Sequence, residues 1–327
     1  MGGTNLFGWM EVPVSIFLYN KTGRKYIGGK MIYTNWMSFI KDDVPLTRLV
    51  IPGAHNAGSY GMRAMAECQK DNLFVQFEHG IRQFCLRLNT NRKGEIVLAH
   101  GITKGDLFEN ALKDIKRALD MYPGEFMLLD IREYYPQKFG PITLTYKADK
   151  NKVDALLEKY IQPEKYAFCD FEHISQVTVG DIRRSGKRYI LIHENAAYKF
   201  SKNCEQILPW EKQVNGAKAE KFANETLRFF DDYNTDGLYW FQTQQTPNLG
   251  TEIGVTTPAK LDEDLVKHFD TIINGIANTP RYLERANIIA GDFMTRNYAK
   301  TKAILELNLR KGNVKPELEK AYEQGLV

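Results

Sequence analysis

The sequence predicts an α/β fold: a single, distorted TIM-like (β/α) barrel with an N-terminal β-hairpin extension. Seven short apolar runs that end in polar residues alternate with longer amphipathic segments. Such alternation indicates a parallel sheet, and seven strand candidates suit a closed barrel better than an open sheet. The length of 327 residues is also that of one barrel domain. We expect residues 1–35 to form the extension and residues 36–327 the barrel.

The extension is predicted from two β-rich runs, residues 11–20 and 24–33, around a glycine-containing turn. In the barrel, runs of apolar and β-branched residues that end in polar ones are typical of buried parallel strands followed by functional loops. The strand candidates are residues 48–55, 82–89, 95–101, 125–134, 188–195, 237–244 and 287–293.

Helical patterns separate the strand candidates. Pro123-Gly124 ends a helix for which Asp106 is a candidate N-cap. Its apolar positions at helical spacing are Leu107, Phe108, Leu112, Ile115 and Leu119. Segments 151–161, 259–276 and 298–309 have similar patterns, whereas much of the stretch 136–185 is irregular. We therefore expect the barrel to be distorted in that middle stretch.

Composition excludes several classes of protein. Hydrophobic residues make up 43% and charged residues 26%, as in a folded soluble protein, and the net charge of +4 is too small for a nucleic-acid binder. The four cysteines include no C-x-x-C pair, and no apolar run is long enough to span a bilayer. The first residues have neither a signal-peptide pattern nor a myristoylation pattern. P-loop, G-x-G-x-x-G, G-x-S-x-G and H-E-x-x-H motifs are missing, which argues against kinases, dehydrogenases, serine hydrolases and zincins.

Polar residues end six of the predicted strands. They are His55-Asn56, Arg87, His100, Arg132, His193-Glu194 and Asp292. Because the carboxyl ends of barrel strands meet on one face, we expect these side chains to share one pocket.

Two histidines and an arginine at one pocket suit the cleavage of a phosphodiester. A neutral imidazole can accept a proton from an attacking hydroxyl while a protonated one donates a proton to the leaving oxygen. A guanidinium can hold the phosphate in a bidentate fork, and a carboxylate such as Asp292 can orient the base. His55 and His100 both stand in glycine-containing turns, where a ligand can approach the backbone closely.

Other polar residues have structural interpretations as well. His193 fits a structural role better than a catalytic one. Arg132 is interpreted equally well as a ligand for substrate or as an ion-pair partner of Asp130 or Glu133. Cys85 is favoured as a small buried residue, because its sequence neighbours supply no activating base.

Several of these segments together resemble the catalytic X-type domain of phosphatidylinositol-specific phospholipase C, including its GPI-cleaving members. The similar segments are NWMSFI, PLTRLVIPGAHNAGSYGM, HGIRQFCLRLN, EIVLAHG, EFMLLDIREYY, YWFQTQQTP and NIIAGDF, from about Trp36 to Phe293. The resemblance implies a TIM-like barrel and a phospholipase C-type enzyme. The product would be diacylglycerol and inositol 1,2-cyclic phosphate.

The resemblance also implies roles for individual residues. His55 would be the general base on the inositol 2-hydroxyl, His100 the general acid toward diacylglycerol, and Asp292 the partner of His55. Arg87 falls where calcium-dependent members carry an acidic metal ligand, and Cys85 and Arg132 also replace carboxylates. We therefore expect no metal and no cofactor. Arg132, Gln242 and Trp240 are predicted to bind the headgroup.

Two positions depart from the family pattern. Cys85 stands where metal-independent members have aspartate, and Asn56 stands where many bacterial members have aspartate. Asn56 is nevertheless retained as a candidate catalytic residue, because the amide could hydrogen-bond the leaving group or His100. An uncharged Asn56 would not stabilise the protonated form of His100, so turnover or substrate would differ from those of bacterial members.

The expected partner is a phospholipid at a membrane surface, with no nucleic acid and no nucleotide, and the expected protein is a monomer that is secreted or peripheral to the membrane. Trp36, Met37 and Phe39 are candidates for lipid contact, or else for helix packing.

Two other functions stay open. A glycerophosphodiester or sphingomyelinase D-type phosphodiesterase would need a metal bound by a Glu-x-Asp that is missing here. A non-catalytic phosphoinositide-binding barrel is motivated by Cys85 and Asn56.

Overall fold

The computed structural model describes residues 29–133, 138–139, 141–143, 146–193, 197–207, 218–233, 235–246 and 256–326. The strands are β1 (Ile51–Ala54), β2 (Gln83–Thr90), β3 (Ile96–His100), β4 (Thr103–Leu107), β5 (Met127–Glu133), β6 (Lys138–Phe139), β7 (Ile142–Thr143), β8 (Tyr189–His193), β9 (Glu205–Ile207), β10 (Leu238–Gln242) and β11 (Ile288–Gly291). The helices are α1 (Gly29–Asn35), α2 (Leu73–Glu78), α3 (Phe108–Met121), α4 (Lys150–Ile161), α5 (Pro163–Tyr166), α6 (Val179–Ser185), α7 (Ala219–Glu225), α8 (Pro258–Leu265), α9 (Phe269–Asn278), α10 (Pro280–Arg285), α11 (Ala299–Arg310) and α12 (Glu319–Leu326).

The main sheet is a curled, distorted barrel, as the sequence predicts. Its parallel strands follow the order β8-β5-β2-β1-β11-β10-β9, so the first and last barrel strands of the chain, β1 and β11, are neighbours. Where β8 and β9 would meet, the described residues provide one parallel bridge, from Leu191 to Ser201. The barrel is therefore less regular on this side than between β2 and β5, which pair over six residues.

The strand β3 corrects one prediction. Residues 95–101 were expected to form a parallel barrel strand, but β3 runs antiparallel to β2, with Leu88 opposite Leu98 and Thr90 opposite Ile96. The physical reason is the difference in strand length, because β2 has eight residues and β1 has four. β1 pairs with Gln83 and Phe84 at the start of β2, and β3 pairs with residues 88–90 at its end. The hairpin then leads β3 back down to the barrel mouth, where His100 ends it.

The N-terminal prediction is wrong for the residues that the structure describes. Residues 29–33 were expected in a β-hairpin, but they belong to α1, which packs against α12. The rest of the expected hairpin, residues 1–28, lies outside the described residues. The helix that follows α1 buries Trp36 and Met37, which are 0% and 1% exposed. These two side chains contact the core, which agrees with helix packing, the second of the two alternatives given for them, and not with lipid contact.

The helix predictions are largely confirmed by α3, α4, α8, α9 and α11. The described residues of the stretch 136–185 contain two helices that were not predicted, α5 and α6, besides the predicted α4. Asp149 accepts hydrogen bonds from the first backbone N–H groups of α4, and Thr178 and Asp181 form a capping box on α6. No helix in the described part of the chain combines the length and apolar character that a bilayer span requires.

Candidate active site

The candidate base, His55, follows β1 directly, and Asp292 follows the neighbouring strand β11. The pairing of Ala54 with Gly291 brings these two strand ends side by side. Gln69 bridges the ends of β1 and β11. Its Nε2 donates to the carbonyl oxygen of His55 at 2.9 Å and to that of Gly291 at 2.8 Å. Asn56 then takes the left-handed conformation (φ 44°), which asparagine tolerates and which ends the strand abruptly.

His55 and Asp292 form a buried pair. Nδ1 of His55 lies 2.7 Å from Oδ1 of Asp292, and the two residues are 9% and 5% exposed. Because the carboxylate accepts the Nδ1 proton, it fixes the tautomer that leaves Nε2 as the acceptor. The arrangement suits a general base, since the carboxylate also stabilises the imidazolium that proton transfer creates.

His100 faces His55 from the hairpin strand. Its Nδ1 donates to the carbonyl oxygen of Ala66 at 2.8 Å, so its Nε2 remains for a ligand. The ring centroids of the two histidines are 6.4 Å apart and the rings are nearly perpendicular. Burial lowers the pKa of His100 from its ordinary value, and the nearby His55 and Arg87 lower it further, while the Ala66 carbonyl opposes them. These surroundings therefore favour the neutral form of His100.

The histidines open onto a cleft of about 580 Å³, a volume typical of small-molecule sites. Of the predicted site residues, Asn56 does not line it: its side-chain amide instead approaches Sγ of Cys68, at 3.7 Å. The predicted residues that do line the cleft are His55, Arg87, His100, Arg132, Trp240, Gln242 and Asp292.

A second charged group of the cleft centres on Arg132. Its Nε donates to Asp130 at 2.8 Å and one terminal nitrogen donates to Glu205 at 2.7 Å. The guanidinium is 31% exposed, whereas both carboxylates are 2% exposed. Burial raises the pKa of Glu205 well above its usual range, and the neighbouring Asp130 adds to this. Both interpretations of Arg132 thus hold geometrically: it pairs with Asp130 and also lines the cleft.

Cys85 lies behind this group. It is fully buried opposite Asp130 in the β2–β5 pairing. Burial raises the pKa of Cys85 to about 12, which makes it a weak nucleophile. The interpretation of Cys85 as a small buried residue agrees with this environment.

His193 lies away from the histidine pair, as its structural interpretation predicts. Its side chain is 0% exposed and its Nε2 lies 3.3 Å from Asp154. Glu194 lies outside the described residues.

Two groups of the site were missed by the sequence analysis. Cys68 lies in the loop after β1, with its Sγ 3.7 Å from Nδ1 of His100, and Glu205 belongs to a strand of three residues. Ligand atoms of His55, Cys68 and Asp292 lie within 4.8 Å of one another, but His55 and Asp292 are already hydrogen-bonded to each other. Burial raises the pKa of Cys68 well above its usual value, and Asp292 raises it further, so the thiol form is favoured.

Comparison with known proteins agrees with the resemblance seen in the sequence. No protein-family model matches the chain. A 1-phosphatidylinositol phosphodiesterase of Staphylococcus aureus (strain Newman) is 29% identical over 119 residues, which are 35% of this chain and 38% of that protein. A PI-PLC X domain-containing protein 3 of Danio rerio is 28% identical over 138 residues, covering 32% of this chain and 42% of that protein. The matches span less than half the length of these curated relatives.

Solved structures confirm the fold over most of the chain. The phosphatidylinositol-specific phospholipase C of Listeria monocytogenes superposes with a TM-score of 0.60 at 19% identity, covering 84% of this chain and 98% of that one. The corresponding protein of Staphylococcus aureus gives a TM-score of 0.62 at 16% identity, covering 86% and 99%. At these identities the likeness establishes a shared barrel architecture.

Proposed function

We propose that this protein is a metal-independent phospholipase C-type phosphodiesterase that cleaves phosphatidylinositol or a GPI-like lipid. The observation that carries the proposal is the pair of histidines, His55 and His100, whose rings lie 6.4 Å apart in one cleft with Arg87. Similarity to a 1-phosphatidylinositol phosphodiesterase supports the choice of substrate class.

In the proposed reaction, His55 is the general base. The hydrogen bond between its Nδ1 and Asp292 leaves Nε2 to accept the proton of the inositol 2-hydroxyl. That oxygen attacks the phosphorus atom, the bond to the diacylglycerol oxygen breaks, and inositol 1,2-cyclic phosphate forms. The nucleophile belongs to the substrate, so the protein gains rate chiefly by positioning and by charge stabilisation. General-base catalysis of this kind is worth about 10²–10⁴-fold.

His100 is the proposed general acid for the leaving oxygen. It can act only as an imidazolium, whereas burial and the neighbouring His55 and Arg87 lower its pKa. A bound phosphodiester brings a negative charge beside the ring, which favours the protonated form. Substrate binding would therefore help to create the acid that the second half of the reaction needs.

Arg87 is the proposed phosphate ligand. Its half-buried side chain lines the cleft together with both histidines. A guanidinium there can donate two hydrogen bonds to the phosphoryl oxygens and offset the charge that develops in the transition state. Since arginine stays protonated, this contribution is independent of pH over the working range.

The headgroup would occupy the part of the cleft lined by Arg132, Trp240 and Gln242. Trp240 lies beside Arg132, with its ring centroid 5.8 Å from the guanidinium carbon, and Gln244 donates to Gln242 at 2.7 Å. This surface combines an aromatic face with amide and guanidinium donors, which suits a polyhydroxylated ring.

Metal independence is proposed from the charges in the cleft. Arg87 and Arg132 line it, and the carboxylates of Asp130 and Glu205 are already bound to Arg132. The arginines repel a hard divalent cation that would otherwise use those oxygens. For Asn56, whose side chain contacts Cys68, we propose a role in holding the loop beside His100. We further propose that the protein is a monomer that acts peripherally at a membrane, after secretion or on the cell surface, with no cofactor.

The experiment is hydrolysis of phosphatidylinositol in vesicles, followed by diacylglycerol release with EDTA present. The wild type is expected to retain its rate in the chelator, and His55→Ala is expected to lose about 10²–10⁴-fold. If the wild type and His55→Ala both show only the background rate, the proposed catalysis is refuted and a non-catalytic phosphoinositide-binding barrel is supported. Loss of activity in EDTA, with recovery on addition of a divalent metal, would instead support the metal-dependent phosphodiesterase.

A further inference from the structure

The main-chain hydrogen bonds between β1 and β11 stop where the proposed base and its partner begin. The backbone N–H of His55 donates to the carbonyl oxygen of Gly291 at 3.1 Å, the last such bond that the described residues show between the two strands. The residues after the pair, Asn56 and Phe293, both have left-handed backbone conformations, with φ of 44° and 46°. Residues other than glycine keep such conformations only where their surroundings hold them. Contacts beyond the strand pairing must therefore fix His55 relative to Asp292.

The side chain of Gln69 supplies this connection. Its Nε2 donates to the carbonyl oxygens of His55 and Gly291, and its Oε1 accepts from the backbone N–H of Met294 at 3.1 Å. Gln69 is 0% exposed, and the three hydrogen bonds use both N–H groups and the oxygen of its amide. The amide thus joins the backbone of His55 to the backbone on both sides of Asp292.

The loop that carries Gln69 is itself held in place. The backbone N–H groups of Cys68 and Gln69 donate to Oγ of Ser59, at 2.9 Å and 3.2 Å. The carbonyl oxygen of Cys68 accepts from the backbone N–H of Phe293 at 2.7 Å. These bonds attach the loop to the chain after β1 and to the chain after β11, so Gln69 is fixed from both sides.

His55 depends on Gln69 more than Asp292 does. Nζ of Lys300 donates to the carbonyl oxygen of Asp292 at 2.7 Å, which anchors Asp292 independently of Gln69. Within the described residues, the donor to the carbonyl oxygen of His55 is Gln69. Loss of the Gln69 amide should therefore displace His55 and lengthen the 2.7 Å hydrogen bond between its Nδ1 and Asp292.

We propose that Gln69 is a positioning residue, whose amide keeps the imidazole of His55 bonded to Asp292 and aimed at the hydroxyl that it deprotonates. This inference rests on the proposed function, because it assigns Gln69 to the same reaction. Gln69 does not line the cleft and acts through the backbone of His55. A displacement of about 1 Å can cost about 10²-fold in rate, so the amide should contribute to kcat and little to substrate binding.

Asn287 is a matched control at the opposite ends of the same strands. Its amide is also 0% exposed and also makes three hydrogen bonds. Nδ2 donates to the carbonyl oxygens of Leu46 and Leu49, and Oδ1 accepts from the backbone N–H of Tyr239. Asn287 joins the chain before β1 to β10 and β11, but at their amino ends, away from the cleft. A purely structural role for Gln69 predicts that the two amides behave alike.

The test compares Gln69→Met with Asn287→Leu, two substitutions that keep the approximate shape of the side chain and remove its amide. Rates on phosphatidylinositol vesicles in EDTA are divided by the folded fraction, which circular dichroism measures. We expect kcat to fall about 10²-fold for Gln69→Met with little change in KM, and to stay near the wild-type value for Asn287→Leu. Equal kcat values for the two folded variants would overturn the inference.

If Gln69→Met does not fold, Gln69→Glu and Asn287→Asp make the same comparison. Burial raises the pKa of a carboxyl group at either place, so the group stays protonated and has one donor where the amide has two. Gln69→Glu should lose about tenfold in kcat, and Asn287→Asp should keep the wild-type value. Equal kcat values for this pair would likewise overturn the inference.

Proton NMR with isotope-labelled histidine reads the geometry without turnover. The Nδ1–H resonance that wild type shows and His55→Ala lacks should lie far downfield, because a short hydrogen bond to a carboxylate deshields the proton. The resonance should move upfield or disappear in Gln69→Met and remain in Asn287→Leu. An unchanged resonance in Gln69→Met would refute the positioning role. A resonance that depends on Gln69, in a wild type that hydrolyses no phosphatidylinositol, would uphold the positioning of His55 and refute the proposed function.

Discussion

Two arginine–carboxylate groups, one at each end of the barrel, differ in a way that separates stability from function. At the amino ends of the strands, Arg82 and Glu125 are 0% exposed, and the guanidinium also donates to the carbonyls of Phe77, Ile81 and Thr34. At the carboxyl ends, Arg132 is 31% exposed and lines the cleft. The first guanidinium is enclosed by protein, whereas the second still presents a surface to a ligand.

The carboxylates of the two groups differ as well. Among the described residues, Glu125 is the one acid that pairs with Arg82, whereas Asp130 and Glu205 both bind Arg132. Unpartnered atoms occur in both groups: within the described residues, Oε2 of Glu205 and Nε1 of Trp240 have no hydrogen-bond partner, and Oε1 of Glu125 has none either. Buried polar groups of this kind are costly unless something binds them. Exposure is therefore what separates the Arg82–Glu125 pair, here called the lower group, from Arg132 with Asp130 and Glu205, here called the upper group. We infer that the lower group stabilises the fold and that the upper group is available to a ligand.

The largest effect is expected from breaking the lower group. Arg82→Met should reduce the free energy of unfolding by about 3–5 kcal/mol, because it leaves the Glu125 carboxylate buried without its partner. Urea denaturation measures this loss, and the folded fraction should keep its activity. The double variant Arg82→Met/Glu125→Met is the control and should recover much of the stability. If the single variant unfolds like the wild type, the lower group does not hold the fold.

At the upper end, Arg87→Ala should reduce kcat by about 10²–10³-fold, the usual cost of removing one donor to a developing anion. The free energy of unfolding should change by less than about 1 kcal/mol, because the side chain is only half-buried. Rates on phosphatidylinositol vesicles and urea curves check the two halves of this expectation. If the rate falls only in proportion to the fraction of folded protein, Arg87 stabilises the fold and does not bind the phosphate.

A pH profile tests the electrostatics of His100. Its folded-state pKa lies below the ordinary value of 6.5, so the protonated form is lost as the pH rises through that lower value. The basic limb of kcat/KM should therefore lie below pH 6.5, while the basic limb of kcat, which reports the substrate complex, should lie at higher pH. If the basic limbs of kcat/KM and kcat lie at the same pH, bound phosphate does not change the protonation of His100.

The smallest effect is expected for Glu205→Gln. The folded protein raises the pKa of Glu205, so the wild type loses stability as the pH rises through that raised value. Glutamine resembles the protonated form, and the variant should match the wild type at low pH and become the more stable protein as the pH rises. Urea curves across the pH range measure this difference. A variant that is less stable at high pH would show that the ionised Glu205–Arg132 pair stabilises the fold.

The sequence predicted the barrel and most of the cleft because both depend on local patterns. Apolar runs that end in polar residues are recognisable one at a time, and the barrel brings their ends together. The direction of β3 was predicted wrongly, although a signal was present. Only residues 90–94 separate two of the predicted strands, which is too short for a parallel crossover and typical of a hairpin with a glycine in its loop.

The remaining site residues were not predictable from local patterns. Cys68 is placed by tertiary contacts, since Oγ of Ser59 accepts from its backbone N–H at 2.9 Å. Glu205 stands on a strand of three residues whose pairing with β10 leaves no periodic signal. Trp36 likewise has a partner distant in sequence, because its Nε1 donates to the carbonyl oxygen of Gly80, 44 residues away.

The central claim is that His55 and His100 act on the same phosphoryl group. His55 activates a hydroxyl of the substrate itself as the nucleophile, and His100 protonates the leaving oxygen. Phosphorus NMR of the products formed from phosphatidylinositol in the presence of EDTA tests it most directly. We expect a five-membered cyclic phosphate resonance to appear first with the wild type and to be absent with His55→Ala. Inositol monophosphate formed without that intermediate, or an equal cyclic signal from His55→Ala, would contradict the claim.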